Sequence, residues 1–189
     1  MSQIRWDILS RLMASRHPAD PFKLVGAEVG VQVGKMTKEV LLRLPSIKKY
    51  YAIDPFIFYD DFEKACLDIH EKYRTKIGRN QDGMNVAFDT FLNVTAKFKN
   101  KIHILRMFSE EAAKHIDDNS LDFCFIDGNH LYEYVKQDIE LYFPKVKKGG
   151  LLGGHDYDMP GTGVKQAVDE CFSKDEFFIH QDWTWWKWV

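Results

Sequence analysis

Short apolar runs alternate along the chain with longer stretches in which apolar residues recur at helical spacing. The runs are typical of β-strands, and the near-continuous apolarity of Leu121–Ile126 favours a central strand buried on both faces. Strands are predicted at Leu24–Val29, Tyr50–Ile53, Lys101–Met107, Leu121–Ile126, Gly150–Gly154, Phe177–His180 and Thr184–Val189. Helices are predicted at Thr37–Leu44, Met84–Phe98, Glu110–Ile116, Tyr132–Phe143 and Gly163–Phe172.

This alternation predicts an α/β fold. Strands that alternate with helices form right-handed βαβ units, and these build a Rossmann-like, doubly wound and mostly parallel sheet, here of seven strands. The last two strands are separated only by Gln181-Asp182-Trp183, which is too short for a crossover helix. We therefore predict that the chain ends in an antiparallel hairpin.

One long segment, residues 56–80, interrupts the alternation after the second strand. It is rich in aromatic and charged residues and has helical periodicity around Phe62–Lys76. Insertions at this place in an α/β fold often cover a pocket. We predict one domain over residues 1–189, with residues 56–80 as a lid or substrate-covering insertion.

Composition excludes several function classes. Apolar residues make up 45% of the 189 and charged residues 29%, as in ordinary globular proteins. The near balance of 28 acidic and 26 basic side chains argues against a nucleic-acid or membrane partner. Three cysteines without C-x-x-C spacing argue against a disulfide framework or a structural zinc site. There is no secretory or membrane-spanning apolar stretch, so a cytoplasmic location is expected.

A glycine-containing turn, Glu28-Val-Gly30-Val31-Gln-Val-Gly34, follows the first strand and opens a helix. Glycine lets the backbone turn sharply and approach a ligand, which then faces the helix N-terminus. The spacing is not the G-x-G-x-x-G of dinucleotide sites, and Glu28 would repel a pyrophosphate but suits a cationic ligand. Asp54 ends the next strand about 20 residues on, where a carboxylate accepts ribose hydroxyls. The plain alternative is a tight turn with solvated carboxylates.

Three stretches carry a family resemblance. Ala27–Gly34 resembles motif I of the class I S-adenosylmethionine-dependent methyltransferases. Phe123–Asp138 and Lys148–Tyr157 resemble the fourth and fifth strands, with their following segments, of the branch called methyltransferase domain 24. The resemblance covers about Val25 to Phe172, and residues 56–80 depart from the family pattern.

The resemblance implies S-adenosylmethionine as the cofactor and assigns parts of its site. Asp54 is expected to hold the ribose, while Phe108 and Ser109 are expected near the adenine. Asp127 is expected to face the transferred methyl group. The methionine part of the cofactor is expected to lie against Glu28, Gly30, Val31 and Gly34.

Acidic and imidazole side chains follow the fourth and fifth predicted strands. Asp127 and Asp156 could together hold Mg²⁺ or another divalent cation, which would lower the pKa of an acceptor hydroxyl. Alternatively, His130 or His155 could act as the general base. The plain alternative is that Asp156 caps the next turn and His155 packs against the sheet.

These features favour a methyltransferase that acts on a small-molecule acceptor, with O-methylation of a hydroxyl as the first choice. A non-catalytic S-adenosylmethionine-binding module and a nicotinamide-dependent oxidoreductase are the alternatives. Transfer to nitrogen or carbon stays open.

The tryptophan-rich stretch Trp183–Trp188 is expected to cover the sheet, and the alternative is an aromatic interface in a homodimer.

Overall fold

A seven-stranded sheet forms the centre of the structure, a computed structural model that describes residues 5–16, 24–58, 80–180 and 182–189. The strand order is β3-β2-β1-β4-β5-β7-β6. Strands β1 to β5 pair in parallel, whereas β7 runs antiparallel to both β5 and β6. The predicted fold class and C-terminal hairpin are therefore confirmed. The strands are β1 Leu24–Val29, β2 Ile47–Ile53, β3 Ile102–Leu105, β4 Leu121–Ile126, β5 Val146–Gly154, β6 Phe178–Ile179 and β7 Trp185–Trp188.

Helices cover both faces of the sheet. The five predicted helices are present, with ends that differ from the prediction by a few residues and with 3₁₀ turns at Ala96–Phe98, Ala113–His115 and Phe143–Lys145. No helix in the described ranges is both long and apolar enough to cross a membrane. The helices are α1 Arg5–Arg16, α2 Lys35–Arg43, α3 Gln81–Thr95, α4 Ser109–Ala112, α5 Tyr132–Tyr142 and α6 Val164–Cys171.

Alternate residues of each central strand enter different core layers, because successive side chains of a strand point to opposite faces. In β4, Cys124 packs with α5 and α6 through residues such as Ile139 and Val168. Its neighbour Phe123 packs in the opposite layer with α1, α2 and α3. All six residues of β4 are buried, as the sequence predicted for a central strand.

Helix α1 was not predicted, although Trp6, Leu9 and Met13 have helical spacing. All three side chains are buried in the layer that contains α2. An ion pair of 2.6 Å between Asp7 Oδ1 and Arg43 Nε also joins α1 to α2. Helix α1 is thus an integral part of the fold, and its first residue, Arg5, reaches the carboxyl end of β4.

The C-terminal hairpin divides its tryptophans between the two core layers. Trp185 is fully buried in the α5–α6 layer and Trp186 in the opposite layer, so these two cover the sheet as predicted. Trp183 is exposed at the turn, beside the exposed edge strand β6. The homodimer stays a prediction.

The predicted lid lies mostly outside the described residues, which omit 59–79, so the lid and the helix around Phe62–Lys76 stay predictions. The described ends of this stretch are tied together: the amide of Gln81 donates to the carbonyl of Phe56 at 3.0 Å. The backbone N–H of Phe58 donates to the side chain of Gln81 at 3.0 Å. The described residues Phe58 and Gln81, which flank residues 59–79, therefore lie close together after the carboxyl end of β2.

Candidate active site

The carboxyl ends of β1, β2, β4 and β5 bring most of the predicted site residues to one edge of the sheet. Backbone hydrogen bonds fix this edge: Gly30 N–H donates to the carbonyl of Ile53 at 2.8 Å, and Asp127 N–H donates to that of Val29 at 2.8 Å. The N–H of His155 donates to the carbonyl of Ile126 at 3.2 Å. Open α/β sheets bind ligands at this edge.

The turn after β1 needs glycine at two positions. Gly30 has a φ of 86°, and a Cβ on it would lie 2.2 Å from the backbone carbonyl oxygen of Asp127. Gly34 has a φ of 75°, and a Cβ there would lie 2.7 Å from the ring of Phe91. The turn therefore packs directly on the end of β4 and on α3. Val31, which was predicted as a cofactor contact, has its side chain buried in the core.

Glu28 lies underneath this turn, with only 1% of its surface exposed. Its Oε2 accepts hydrogen bonds from the hydroxyl of Thr37 at 2.6 Å and from that of Tyr50 at 2.7 Å. Burial raises the pKa of Glu28 to about 7, even though the two hydrogen bonds act to lower it. Glu28 thus joins the turn to α2 and β2, and its contact with a cofactor stays a prediction.

Asp54 joins the glycine turn to the segment that follows β2. Its Oδ2 accepts the backbone N–H of Gln32 at 3.0 Å, and its Oδ1 accepts that of Phe56 at 2.8 Å. Burial raises the pKa of Asp54, while these backbone hydrogen bonds and Arg106 lower it. The predicted ribose contact is untested. Asp54 itself lies after the end of β2, beside the turn, as the sequence predicted.

Phe108 and Ser109 lie at the start of α4, after the end of β3. Phe108 exposes a large part of its ring. Ser109 is held from α5, because the hydroxyl of Tyr142 donates to its carbonyl at 2.9 Å and its side chain bonds Asp138. Asp138 is buried, which raises its pKa to about 7. The adenine contact of Phe108 and Ser109 stays a prediction, and the support from Asp138 was not foreseen.

The ends of β4 and β5 bring together Asp127, His130 and Asp156. One potential ligand atom from each lies within 4.8 Å of the others. His130 Nε2 lies 3.0 Å from Asp156 Oδ2 and 3.6 Å from Asp127 Oδ1. His130 Nε2 and Asp156 Oδ1 are buried atoms whose close contacts are ion pairs with neighbouring charged side chains. Three potential ligand atoms this close together could also hold a divalent cation in place of these ion pairs.

Opposite charges determine the pKa values in the cluster of Asp127, His130 and Asp156. Burial alone would lower the pKa of His130, but the carboxylates of Asp127 and Asp156 raise it to about 10. Burial alone would raise the pKa of Asp156, but His130 and His155 hold it well below its usual range. His155 Nδ1 lies 2.6 Å from Asp156 Oδ1. The Asp156 carboxylate therefore faces two imidazoles, unlike the carboxylate of a simple turn cap.

Arg5 is a site residue that the sequence analysis missed. Its Nη1 lies 2.8 Å from Asp127 Oδ2, in a partly buried ion pair across 122 positions of sequence. The apolar spacing in α1 could have predicted the helix. No local pattern could have predicted that its first residue reaches β4, because that contact depends on how α1 packs against α2.

Comparison with known proteins identifies the family. The model of methyltransferase domain 24, described as a methyltransferase domain, matches residues 27–157. The chain belongs to this methyltransferase family. The match contains the glycine turn, Asp54 and the cluster at the ends of β4 and β5, as the sequence resemblance implied.

Other proteins resemble the chain in part of the sequence or in the fold. The chain is 41% identical over 70 residues to the uncharacterized protein R132 of Acanthamoeba polyphaga mimivirus, a stretch that covers 33% of this chain and 32% of that protein. The O-methyltransferase NovP has a similar fold, with a TM-score of 0.67, 19% identity, and coverage of 97% of this chain and 78% of NovP. A putative caffeoyl-CoA O-methyltransferase from Staphylococcus aureus gives 0.63 and 15%, with coverage of 98% and 82%.

Proposed function

We propose that this protein transfers a methyl group from S-adenosylmethionine to a hydroxyl group of a small molecule. The observation that carries the proposal is the position of the Asp127–His130–Asp156 cluster. It lies at the carboxyl edge of the sheet, directly beside the glycine turn of a methyltransferase-family domain. The names of NovP and of the S. aureus protein support oxygen as the methylated atom.

The residues at the edge of the sheet fit the cofactor. Gly30 and Gly34 let the turn keep its left-handed backbone conformation and pack on Asp127 and Phe91, where a Cβ would clash. Asp54 would hold the ribose and the exposed Phe108 ring would stack on the adenine. When bound, S-adenosylmethionine supplies an electrophilic methyl group on a cationic sulfonium. The protein's part is to align the acceptor with it and to exclude water.

The cluster at β4 and β5 fits a divalent cation. Asp127 and Asp156 offer oxygen ligands, His130 offers an imidazole, and one potential ligand atom of each lies within 4.8 Å of the others. A cation held there would lower the pKa of the acceptor hydroxyl. His130 is then a ligand rather than the general base proposed from the sequence.

His155 is the better candidate for the general base. Its Nδ1 lies beside Asp156 Oδ1, and a carboxylate at Nδ1 fixes the tautomer in which Nε2 is available to take a proton. We propose that His155 removes the acceptor proton while Asp156 orients its ring. The substitution His155→Gln is expected to lower the rate of methyl transfer by about 100-fold or more, with little change in cofactor affinity.

The cofactor is tested by thermal unfolding with S-adenosylhomocysteine and, separately, with NADH. We expect S-adenosylhomocysteine to raise the melting temperature of the wild type. Asp54→Ala is expected to abolish this increase, and the matched control Asp89→Ala, at an exposed position of α3, is expected to keep it. An increase with NADH alone would revive the oxidoreductase. Binding without turnover on any acceptor would favour a non-catalytic module.

A further inference from the structure

An ion pair joins Arg5, the first residue of α1, to Asp127, which follows β4. Resting on the proposed function, we propose that the guanidinium of Arg5 binds the carboxylate at the amino-acid end of the cofactor. The N-terminal helix would then supply a specificity-determining residue of the active site, because it would distinguish a nucleoside that carries an amino acid from one that does not.

Arg5 lies close to the glycine turn. The missing Cβ of Gly30 would touch the carbonyl of Asp127, and the side chain of that same Asp127 holds Arg5 Nη1 at 2.8 Å. Only Asp127 therefore lies between the guanidinium of Arg5 and the turn. The amino-acid end of the cofactor is expected to lie against this turn, so its carboxylate comes within reach of Arg5.

The acidic residues around the turn favour such a cation. Glu28 and Asp127 are acidic, and an incoming carboxylate would meet unfavourable repulsion from them without a positive partner. The positive charge of Arg5 acts on Glu28, whereas that of Arg106 acts on Asp54 at the ribose end. Arg5 thus lies on the β4 side of the site, beside Asp127, and Arg106 lies near Asp54 on the β2 side.

Arg5 has the geometry to bind a second anion. Its Nη1 donates to Asp127, and the planar guanidinium has further N–H donors that can bind another carboxylate. A quarter of the Arg5 side chain and a fifth of that of Asp127 are exposed, so an incoming group can reach them. Packing of Trp6, Leu9 and Met13 fixes α1 beforehand, which reduces the entropy lost when Arg5 binds a ligand.

The test compares two ligands that differ in the amino-acid end. Isothermal titration measures the affinities of S-adenosylhomocysteine and of 5′-methylthioadenosine, which lacks the amino acid, for wild type, Arg5→Gln and Arg5→Lys. Arg5→Gln is expected to weaken S-adenosylhomocysteine binding by about 10- to 100-fold and methylthioadenosine binding by less than about 2-fold. Arg5→Lys is expected to restore part of the loss. The matched control Arg11→Gln, at an exposed position of the same helix, should leave both affinities unchanged.

Equal weakening of both ligands by Arg5→Gln would overturn the inference, because Arg5 would then act through the shape of the site. Unchanged binding of S-adenosylhomocysteine by Arg5→Gln would overturn it as well, while leaving the proposed function intact. If the wild type binds neither ligand, the proposed function fails and this inference fails with it.

Discussion

Two groups of acidic residues lie at the same edge of the sheet but differ in how their oxygens are satisfied. On the β1–β2 side, the oxygens of Glu28 and Asp54 accept hydrogen bonds from hydroxyl and backbone donors of the fold itself. On the β4–β5 side, the close contacts of Asp127 and Asp156 are ion pairs with Arg5, His130 and His155. Carboxylates and imidazoles grouped in this way can exchange their ion pairs for a bound cation, whereas the β1–β2 carboxylates are engaged by the fold itself.

The two groups of acidic residues therefore have different roles within one site. The β1–β2 carboxylates hold the glycine turn in shape, so that it can accept a cofactor. The β4–β5 cluster provides charge and ligand atoms where the reaction is proposed to occur. Three experiments can break or sharpen this division.

The largest effect is expected at the contact between the two sides. Gly30→Ala places a Cβ against the backbone of Asp127 in a left-handed conformation, so we expect it to lower the free energy of unfolding by about 4 kcal/mol. The matched control is Gly149→Ala, which has a similar φ of 81° but nothing within 4 Å of its Cβ. It should cost only about 1 kcal/mol. Urea unfolding measures both, and equal losses would show that close contact plays no part.

The second effect tests whether Glu28 is structural. Its pKa is raised from 4.5 to about 7, so the folded protein holds this proton more tightly than the unfolded chain does. The resulting stability is fully present below about pH 4.5 and is lost as the pH rises through about 7. The difference corresponds to about 3 kcal/mol. Urea unfolding between about pH 4 and about pH 8, a window that brackets the ordinary and the raised pKa of Glu28, should show this decrease in wild type.

The variant Glu28→Gln provides the comparison for that experiment. In this variant, the decrease in unfolding free energy that Glu28 causes is expected to be absent. The decrease that comes from the buried Asp138 is expected to remain. Identical pH profiles of wild type and Glu28→Gln would mean that Glu28 titrates as an exposed carboxylate, and the contrast between the two sides of the site would disappear.

The smallest effect tests the cluster as a cation site. Mn²⁺ added at about 100 times its dissociation constant is expected to stabilise the wild type by about 2.7 kcal/mol. Asp156→Asn should abolish the effect, since it removes a ligand charge from the cluster. The control Asp158→Asn, at an exposed position paired with Lys165, should keep it. Stabilisation of both variants to the same degree would place the cation elsewhere.

Much of this arrangement could be predicted from the sequence because it depends on local patterns. The strands Leu24–Val29 and Leu121–Ile126 were predicted residue for residue, since burial on both faces leaves a continuous apolar run. Asp127 and Asp156 were predicted together because parallel strands bring their carboxyl ends to one edge.

The parts that could not be predicted depend on contacts between distant segments. Thr37 and Tyr50 give no sign in the sequence that both bond Glu28, and Arg5 gives none that it reaches Asp127. The role of His130 also changed, because only the structure shows that it lies between two carboxylates. These contacts decide which groups are structural and which are available to a ligand.

A crystal structure of the protein with S-adenosylhomocysteine and Mn²⁺ tests the central claim most directly. We expect the ribose hydroxyls on Asp54, the thioether sulfur beside the end of β4, and the metal on Asp127, His130 and Asp156. A ligand bound away from the glycine turn, or ribose hydroxyls that do not contact Asp54, would contradict the account.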